Sequence, residues 1–351
     1  MTSGLGQHRQ GASTLISPKV SIVVRTKDRP DLLSRAFRSI LHQTYNDWEC
    51  IVVNDGGDPA VLEGVLTSVQ MDMDERVKII RNEESLGRWP AANAGIRQSA
   101  GTYVALHDDD DSWHPRFLEA TVGFLDVNCD ELGVIARAEV IHEALRGTEV
   151  VEEGRYILEE HNPEVLLVDL LHFNRFVPIQ FLYRRSLHDQ FGLYDERLPA
   201  AADWAFNLLV CSAKSIRYVS GEVLAYWHQR PSETGPEGNS VFAATDDHER
   251  ADRAFRDEQL RAFIATHGAG LPLILASQKD AITLRAEQTD ARQDRHTETL
   301  LAAIREQQAR LEQLSTSVDR IQHHLDRMLD TRIRGFLWRQ KQRLKQRRFR
   351  L

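Results

Sequence analysis

ALHDDDDSWHP, residues 105–115, places four consecutive carboxylates, Asp108 to Asp111, directly after the apolar run Tyr103-Val104-Ala105-Leu106. That run has the length of a buried strand and is bounded upstream by Gly101. A strand ending in acids sets them at the carboxyl edge of a sheet, where open α/β folds bind ligands. Acids this close repel one another, so the site must bring in positive charge, and hard oxygen ligands suit Mg²⁺ or Mn²⁺. Taken alone, the run is equally compatible with a solvated acidic turn. Its context argues for a site: a strand precedes it, Trp113 and Pro115 follow, and a helical pattern runs from Phe117 to Leu125.

Upstream, apolar runs alternate with helical patterns. Val20–Val24 reads as a first strand and leads into Arg25-Thr26-Lys27-Asp28-Arg29-Pro30, where Pro30 suits the first turn of a helix. Leu32, Leu33, Ala36, Phe37, Ile40 and Leu41 then recur at helical spacing. A second strand, Glu49–Val53, ends in the polar turn Asn54-Asp55-Gly56-Gly57. Val61–Val69 reads as helix, Val77–Ile80 as a third strand, and Gly87-Arg88-Trp89-Pro90 opens a helix through Asn93 and Ile96. Strand–helix alternation with short connections predicts an α/β fold with a parallel, doubly wound sheet and crossovers on both faces. The first strand-to-helix turn, RTKDRP, has no GxGxxG, which removes a nicotinamide dehydrogenase from consideration.

Downstream, the pattern is less regular. Gly133–Ile141 reads as a strand, Glu149–Glu153 as a weaker one, Pro163–Leu171 as a helix and Val177–Tyr183 as a strand. In FGLYDERLPAAADWAFNLLVCSA, Phe206, Leu209 and Val210 form an apolar helical face starting near Asp203, an acid that on local grounds caps the helix. Ile216–Val219 and Val223–Trp227 predict two short strands, and Arg230–Gly238 is a flexible loop by composition.

From Phe242 the pattern turns helical, interrupted by Gly268 and Gly270. Further on it settles into heptads: Ile304, Leu311, Val318 and Leu325 fall on one seam position, and Leu300, Leu314, Ile321 and Met328 on the other, with Gln307 as the polar interruption. A seam sustained this long predicts self-association, without deciding between dimer and trimer. From Arg332 on there are nine Lys or Arg and no acid, interleaved with Ile333, Phe336, Leu337, Trp338, Leu344 and Phe349. Such a tail suits an anionic membrane surface or a membrane-protein partner; a solvated tail or an RNA-binding arm is the alternative.

Composition narrows the classes. The chain has 351 residues, 42% hydrophobic and 27% charged, enough for one large domain with an extension. A net charge of -8 argues against general nucleic-acid binding. Cys50, Cys129 and Cys211 are far apart, which fits reduced cytosolic thiols better than a disulfide framework or a zinc site. No run approaches a membrane span, and the first residues read as a loose leader. The expected organisation is a leader over 1–18, an α/β domain over 19–240, a helical connector over 241–297, a coiled coil over 298–330 and a basic amphipathic tail over 331–351.

The order VSIVVRTKDRPDLLSRAFRSILHQTYNDWECIVVNDGG, then SLGRWPAANAGIRQSAGTYVALHDDDDSWHP, resembles the inverting family 2 glycosyltransferases with the GT-A fold, over roughly Lys19 to Arg230. The resemblance implies a Rossmann-like, mostly parallel sheet flanked by helices, a nucleotide-sugar donor and a divalent metal. It matches Thr26 and Asp28 to the start of the nucleotide pocket. Asp55 corresponds to the carboxylate that receives the donor's base, and Arg88 with Asn93 to the stretch lining ribose and diphosphate. Asp108 and Asp110 fit the D-x-D motif, with Asp110 a metal ligand, Asp108 reaching ribose or metal through water, and Asp109 in the same donor-binding stretch. Asp203 resembles the catalytic base, which must take a proton from an acceptor hydroxyl as it attacks the anomeric carbon. His228 lies where relatives place a further metal or diphosphate contact, and Gln180 and Trp204 fall on the acceptor side.

The sequence also departs from the pattern. Ala92 stands where many relatives carry Arg before the asparagine, Ala202 stands where many carry Glu before the base, and His107 precedes the aspartates. The expected setting is bacterial surface polysaccharide assembly, O-antigen or capsule, on a glycan or lipid-linked glycan acceptor. The expected location is cytoplasmic, peripheral at the inner face of the inner membrane, without nucleic acid. A non-catalytic coiled-coil scaffold is the competing reading.

Overall fold

The computed structural model describes residues 17–72, 74–146, 149–231 and 245–348. The leader as far as residue 16, most of the expected 230–238 loop, and Phe349 lie outside these. The chain divides into two compact units, Met1–Leu260 and Arg261–Leu351.

The first unit is built on a ten-stranded mixed sheet. Its strands are β1 (Val20–Thr26), β2 (Trp48–Asp55), β3 (Val77–Asn82), β4 (Tyr103–Asp108), β5 (Ser112–Trp113), β6 (Gly133–Arg146), β7 (Glu149–Ile157), β8 (Glu164–Val165), β9 (Phe181–Arg184) and β10 (Ile216–Gln229). The main path runs β3-β2-β1-β4-β9-β6-β10-β5, with β7 paired to β6 and β8 to β10. β3, β2, β1 and β4 are parallel, as the βα alternation predicts. The expected mostly parallel sheet becomes mixed beyond β4: β9 runs antiparallel to both β4 and β6, and β7 antiparallel to β6, while β10 runs parallel to β6. Only two positions separate Arg146 from Glu149, and a parallel pair needs a crossover far longer than that.

The helices are α1 (Pro30–Leu41), α2 (Pro59–Ser68), α3 (Arg88–Gln98), α4 (Phe117–Val127), α5 (Leu167–His172), α6 (Leu187–Phe191), α7 (Ala202–Ala213) and α8 (Thr245–His267). Strand alternation sorts the core into two layers: Ile22 and Val24 pack on one face with Phe37, Leu66 and Phe117, while Val23 packs on the other with Trp89, Ile96 and Phe206. Three expectations shift. The helix anticipated over Pro163–Leu171 begins at Leu167, after β8 has paired with the start of β10. Val177–Tyr183 divides into a 3₁₀ turn at Pro178–Gln180 and β9, because Pro178 has no amide to give a ladder. The two strands anticipated over 216–227 are one, β10, with register shifts between Tyr218 and Ala225.

In the second unit, α9 (Gly270–Arg348) runs without a break across the expected boundaries at 297 and 330. Gly268, at φ +78°, accommodates the left-handed turn that ends α8. The seam residues Leu300, Ile304, Leu311, Leu314, Val318, Ile321, Leu325 and Met328 are all exposed, at 46–64%. Among the described residues no helix is long and apolar enough to cross a membrane.

Candidate active site

β1 and β4 are neighbours in register, with Arg25 opposite Asp108, so the β1–α1 turn and the four aspartates meet at one sheet edge. The positive charge these carboxylates require comes from arginine. Arg25 donates to Asp108 through Nε at 2.8 Å and Nη2 at 2.6 Å. Asp109 receives Thr26 Oγ1 and Arg29 Nη1, both at 2.8 Å. Asp110 receives Arg230 Nη2 at 2.7 Å and Arg29 Nη2 at 3.2 Å. Asp111 turns inward and accepts the His228 backbone N–H at 3.0 Å.

These surroundings set Asp108, Asp109 and Asp111 apart. Burial works to raise the pKa of Asp108, but Arg25 and Arg88 outweigh it and hold the group below the carboxylate range. Burial pushes Asp109 up to about 7 against the pull of Arg29. Burial, with the Asp110 and Asp108 charges added, drives Asp111 well above the usual range.

Behind the aspartates lies a hub the sequence did not reveal. Glu143, on β6, accepts Arg35 Nη1 at 2.7 Å and Arg230 Nη1 at 3.4 Å, and shares a hydrogen bond with His228 Nδ1 at 2.6 Å. Arg35 also reaches the Asp110 carbonyl at 2.6 Å. The other ring nitrogen of His228, Nε2, is 2.8 Å from Ser112 Oγ. The expected role of His228 as a metal ligand is therefore not matched, because both ring nitrogens are engaged within the protein. His107 is fully buried, with its ring edge-on to Trp113; burial pulls its pKa to about 4, so it is neutral packing at the strand end.

The metal expected at Asp110 can be tested against the donors present. Asp108 and Asp110 offer hard carboxylate oxygens, which fit Mg²⁺ or Mn²⁺ chemically. In this arrangement, however, Asp110 faces two guanidinium groups, and among the described residues no three His, Cys, Asp or Glu side chains are grouped to hold an ion.

The remaining expected donor contacts separate into two kinds. Asp55, at the end of β2, accepts four hydrogen bonds at 2.8–2.9 Å from Asn82 Nδ2, Ser85 Oγ and the backbone amides of Leu86 and Gly87. Burial would raise its pKa, and these donors together hold it below the carboxylate range. It thus fastens the 82–87 loop over the strand end, and Gly56 permits the approach: a Cβ there would stand 2.3 Å from the Ser85 nitrogen. Asp28 Oδ1 caps the neighbouring turn through the Asp58 amide at 2.7 Å. Asn93 is buried and holds the 194–196 loop, donating to Tyr194 O at 2.8 Å and Glu196 Oε1 at 2.9 Å and accepting the Tyr194 amide at 3.1 Å. Those are positioning contacts within the protein. Gln180 likewise is wholly buried, donating to the Ala136 carbonyl and accepting the Val177 amide.

Arg88, Asp203 and Trp204 do come together. They line a cleft of about 390 Å³ with Arg25, Trp89, Asn174, Trp227 and Arg256. Asp203 stands in the first turn of α7 and receives Asn174 Nδ2 at 2.9 Å; Asn207 in turn donates to Asn174 at 3.0 Å. Burial raises the Asp203 pKa, with Arg88 opposing. A carboxylate with raised affinity for protons, set across a cleft from two arginines, has the make-up of a general base. Asn174, Arg25, Arg29, Arg35, Arg230 and Glu143 are the site residues that motif reading passed over. RTKDRP already held two of the arginines, and the demand for positive charge was the signal that pointed to them.

A mixed sheet thus carries carboxylates at the end of a central strand, with a buried carboxylate of raised proton affinity lining the cleft that Arg25 and Arg88 share. Residues 21–192, just under half of the chain, match the family model Glycosyl transferase family 2, and the chain carries a glycosyltransferase domain of that kind. It is similar to the uncharacterized glycosyltransferase YwdF of Bacillus subtilis, 27% identical over 72% of this chain and 85% of that protein. A glycosyl transferase named for colanic acid biosynthesis, WcaA of Escherichia coli K12, is 34% identical over 29% of this chain and 36% of its own length. Among solved structures, S. aureus TarS 1–349 in complex with UDP-GlcNAc aligns with a TM-score of 0.47 and 19% identity, over 74% of this chain and 77% of that one.

Proposed function

We propose that the chain transfers a sugar with inversion from a nucleotide-diphosphate sugar to an acceptor hydroxyl, in assembly of a surface polysaccharide. The observation that carries this reading is Asp203 in one cleft with Arg25 and Arg88, its proton affinity raised by burial. The base removes the acceptor's proton, attack comes from the side opposite the leaving diphosphate, and a single displacement inverts the anomeric centre. Arg25, Arg29 and Arg230 supply planar donors suited to diphosphate oxygens. A divalent cation, Mn²⁺ or Mg²⁺, belongs to Asp108 and Asp110 in this reading and would add positive charge at the diphosphate; at Asp110 it competes with Arg29 and Arg230. The polysaccharide setting draws on the name of the WcaA relative.

The test is a panel of nucleotide sugars, with Mn²⁺, Mg²⁺ or EDTA, read as release of nucleoside diphosphate. One donor is expected to turn over, and EDTA to return the rate to background. Failure of every donor to bind with either metal would remove the reading.

The same proposal gives α9 two roles. Its exposed heptad seam joins copies of the chain, and its basic end holds them at an anionic membrane surface or membrane protein on the cytoplasmic side, weak contacts adding through effective concentration. Removing residues 270–351 is expected to give a monomer by sedimentation and to abolish pelleting with anionic vesicles, while donor hydrolysis stays within about twofold. A truncated chain that still pellets with vesicles contradicts the membrane role.

A further inference from the structure

Asp203 and Asn207 stand one turn apart on α7, at positions four residues apart that share a helix face. The side chain of Asn174, from the segment after α5, is held between them. Its amide nitrogen donates to Asp203 Oδ2 at 2.9 Å, and its side-chain oxygen accepts Asn207 Nδ2 at 3.0 Å. The second bond fixes the sense of the first. A turned-over Asn174 amide would set its oxygen against the Asp203 carboxylate and its NH₂ against that of Asn207, two repulsions in place of two hydrogen bonds. Asn207 is 4% exposed and has little water to turn to, so it keeps the Asn174 donor aimed at the acid.

The segment that carries Asn174 is braced on both sides. Before it, Arg256 of α8 donates to the Leu171 and His172 carbonyls. After it, Arg175 donates to the Asp169 carbonyl at 3.2 Å and to Glu159 Oε1 at 2.9 Å, and the buried Phe176 ring packs edge-on to Phe181. Asn174 itself is half-buried and lines the cleft. A general base works only while its lone pair faces the hydroxyl it deprotonates, and a misplacement of about 1 Å can cost about a hundredfold in rate. A hydrogen bond on one carboxylate oxygen stops the group from rotating, the part a third residue plays in orienting a base. The other charged or titratable groups acting on Asp203 or sharing its cleft are Arg25 of β1, Arg88 of α3, His172 of α5, Tyr194, and Asp252 and Arg256 of α8.

We infer that Asn174 is the positioning residue for Asp203: it fixes the rotation of the carboxylate and favours its ionised form, while Asn207 fixes Asn174. The inference rests on the proposed function for the identity of the base, and on the hydrogen-bond geometry alone for the chain of contacts behind it.

The test is a carbon-13 titration of the full-length protein labelled at its aspartate carboxyl carbons, run without donor; the Asp203 signal is the one absent from Asp203→Asn. Asn174→Ala is expected to raise the Asp203 pKa by about half a pH unit or more, because a donor to the ionised form is gone. Asn207→Ala, which removes no contact to Asp203, should raise it less and in the same direction. Asn174→Asp keeps the size of the side chain and the bond from Asn207 but sets two carboxylates together. The upper apparent pKa of that pair should lie about one pH unit or more above the parent value. An Asp203 titration unmoved in both Asn174 variants, each folded by circular dichroism, overturns the inference. Turnover of the donor that the nucleotide-sugar panel identifies is the kinetic half. Asn174→Ala should lower kcat by about tenfold or more with the donor KM within about twofold. Most of that loss should vanish when Asp203 is already asparagine, since the two residues act as a unit. An equal loss in both backgrounds also overturns the inference. A shifted titration beside full turnover in Asp203→Asn removes the base reading alone and leaves the Asn207–Asn174–Asp203 contacts standing.

Discussion

Asp203→Asn is expected to lower turnover by about 10²–10⁴-fold, the range a positioned general base contributes, while donor binding stays within about twofold. Asparagine keeps the size of the side chain and an oxygen to accept the Asn174 amide, now 2.9 Å away, so the Asn207–Asn174 chain behind it survives. What it loses is basicity. Because burial raises the Asp203 pKa, the acid limb of kcat/KM in the parent should fall above the ordinary carboxylate range, with rate rising as pH rises through that value. Stability should respond in the other direction. A carboxyl whose pKa is higher in the folded state favours folding while protonated and loses that contribution as pH climbs through the folded value. At neutral pH, Asp203 is therefore a cost to the fold, and the asparagine variant should melt no lower than the parent. Loss of turnover together with loss of donor affinity would instead make Asp203 a residue of the donor site.

The parts of this molecule legible in its sequence are those governed by local period. β1, β2 and β4 were each readable as apolar runs because they are buried on both faces, β3 from its short apolar stretch at the sheet edge, and α1 because Leu32, Leu33, Ala36, Phe37 and Ile40 repeat at helical spacing. The hairpin of β6 and β7, and β9 inserted between β4 and β6, were not readable, since pairing across a sheet leaves no mark at the separation where it occurs. The site divides in the same way. That four adjacent aspartates need positive charge follows from electrostatics, and the motif order carried Asp203 and Arg88 to the cleft where they lie. Arg230 reaching Asp110 across 120 positions, and Glu143 reaching His228 across 85, carry no local signature. Asn93 and Gln180 show the opposite error: polar residues in motif-bearing stretches that the fold uses to tie loops and turns together.

Glu143→Gln is expected to be the most destabilising conservative change near the site. Glu143 is 5% exposed and Arg230 is fully buried, so the glutamate neutralises charge where water cannot. Burial would raise its pKa, yet His228 and Arg35 hold it at about 2. A carboxylate lowered in this way stabilises the fold above its unfolded pKa and loses that contribution as pH falls toward 2. Removing the charge at neutral pH leaves Arg230 with Asp110 and Arg35 with a backbone carbonyl. Breaking a buried pair by deleting one partner costs about 3–5 kcal/mol. In a unit of this size that lowers the melting temperature by about 6–20 °C. A decrease under about 2 °C would show that the hub contributes little. The companion measurement is the cycle with Arg230→Gln. If Glu143 acts mainly by compensating that guanidinium, the double variant should be less destabilised than the sum of the singles by about 0.5–3 kcal/mol. Strict additivity would place the role of Glu143 with Arg35 and His228, on the side of the hub that orients Asp111 through the His228 amide.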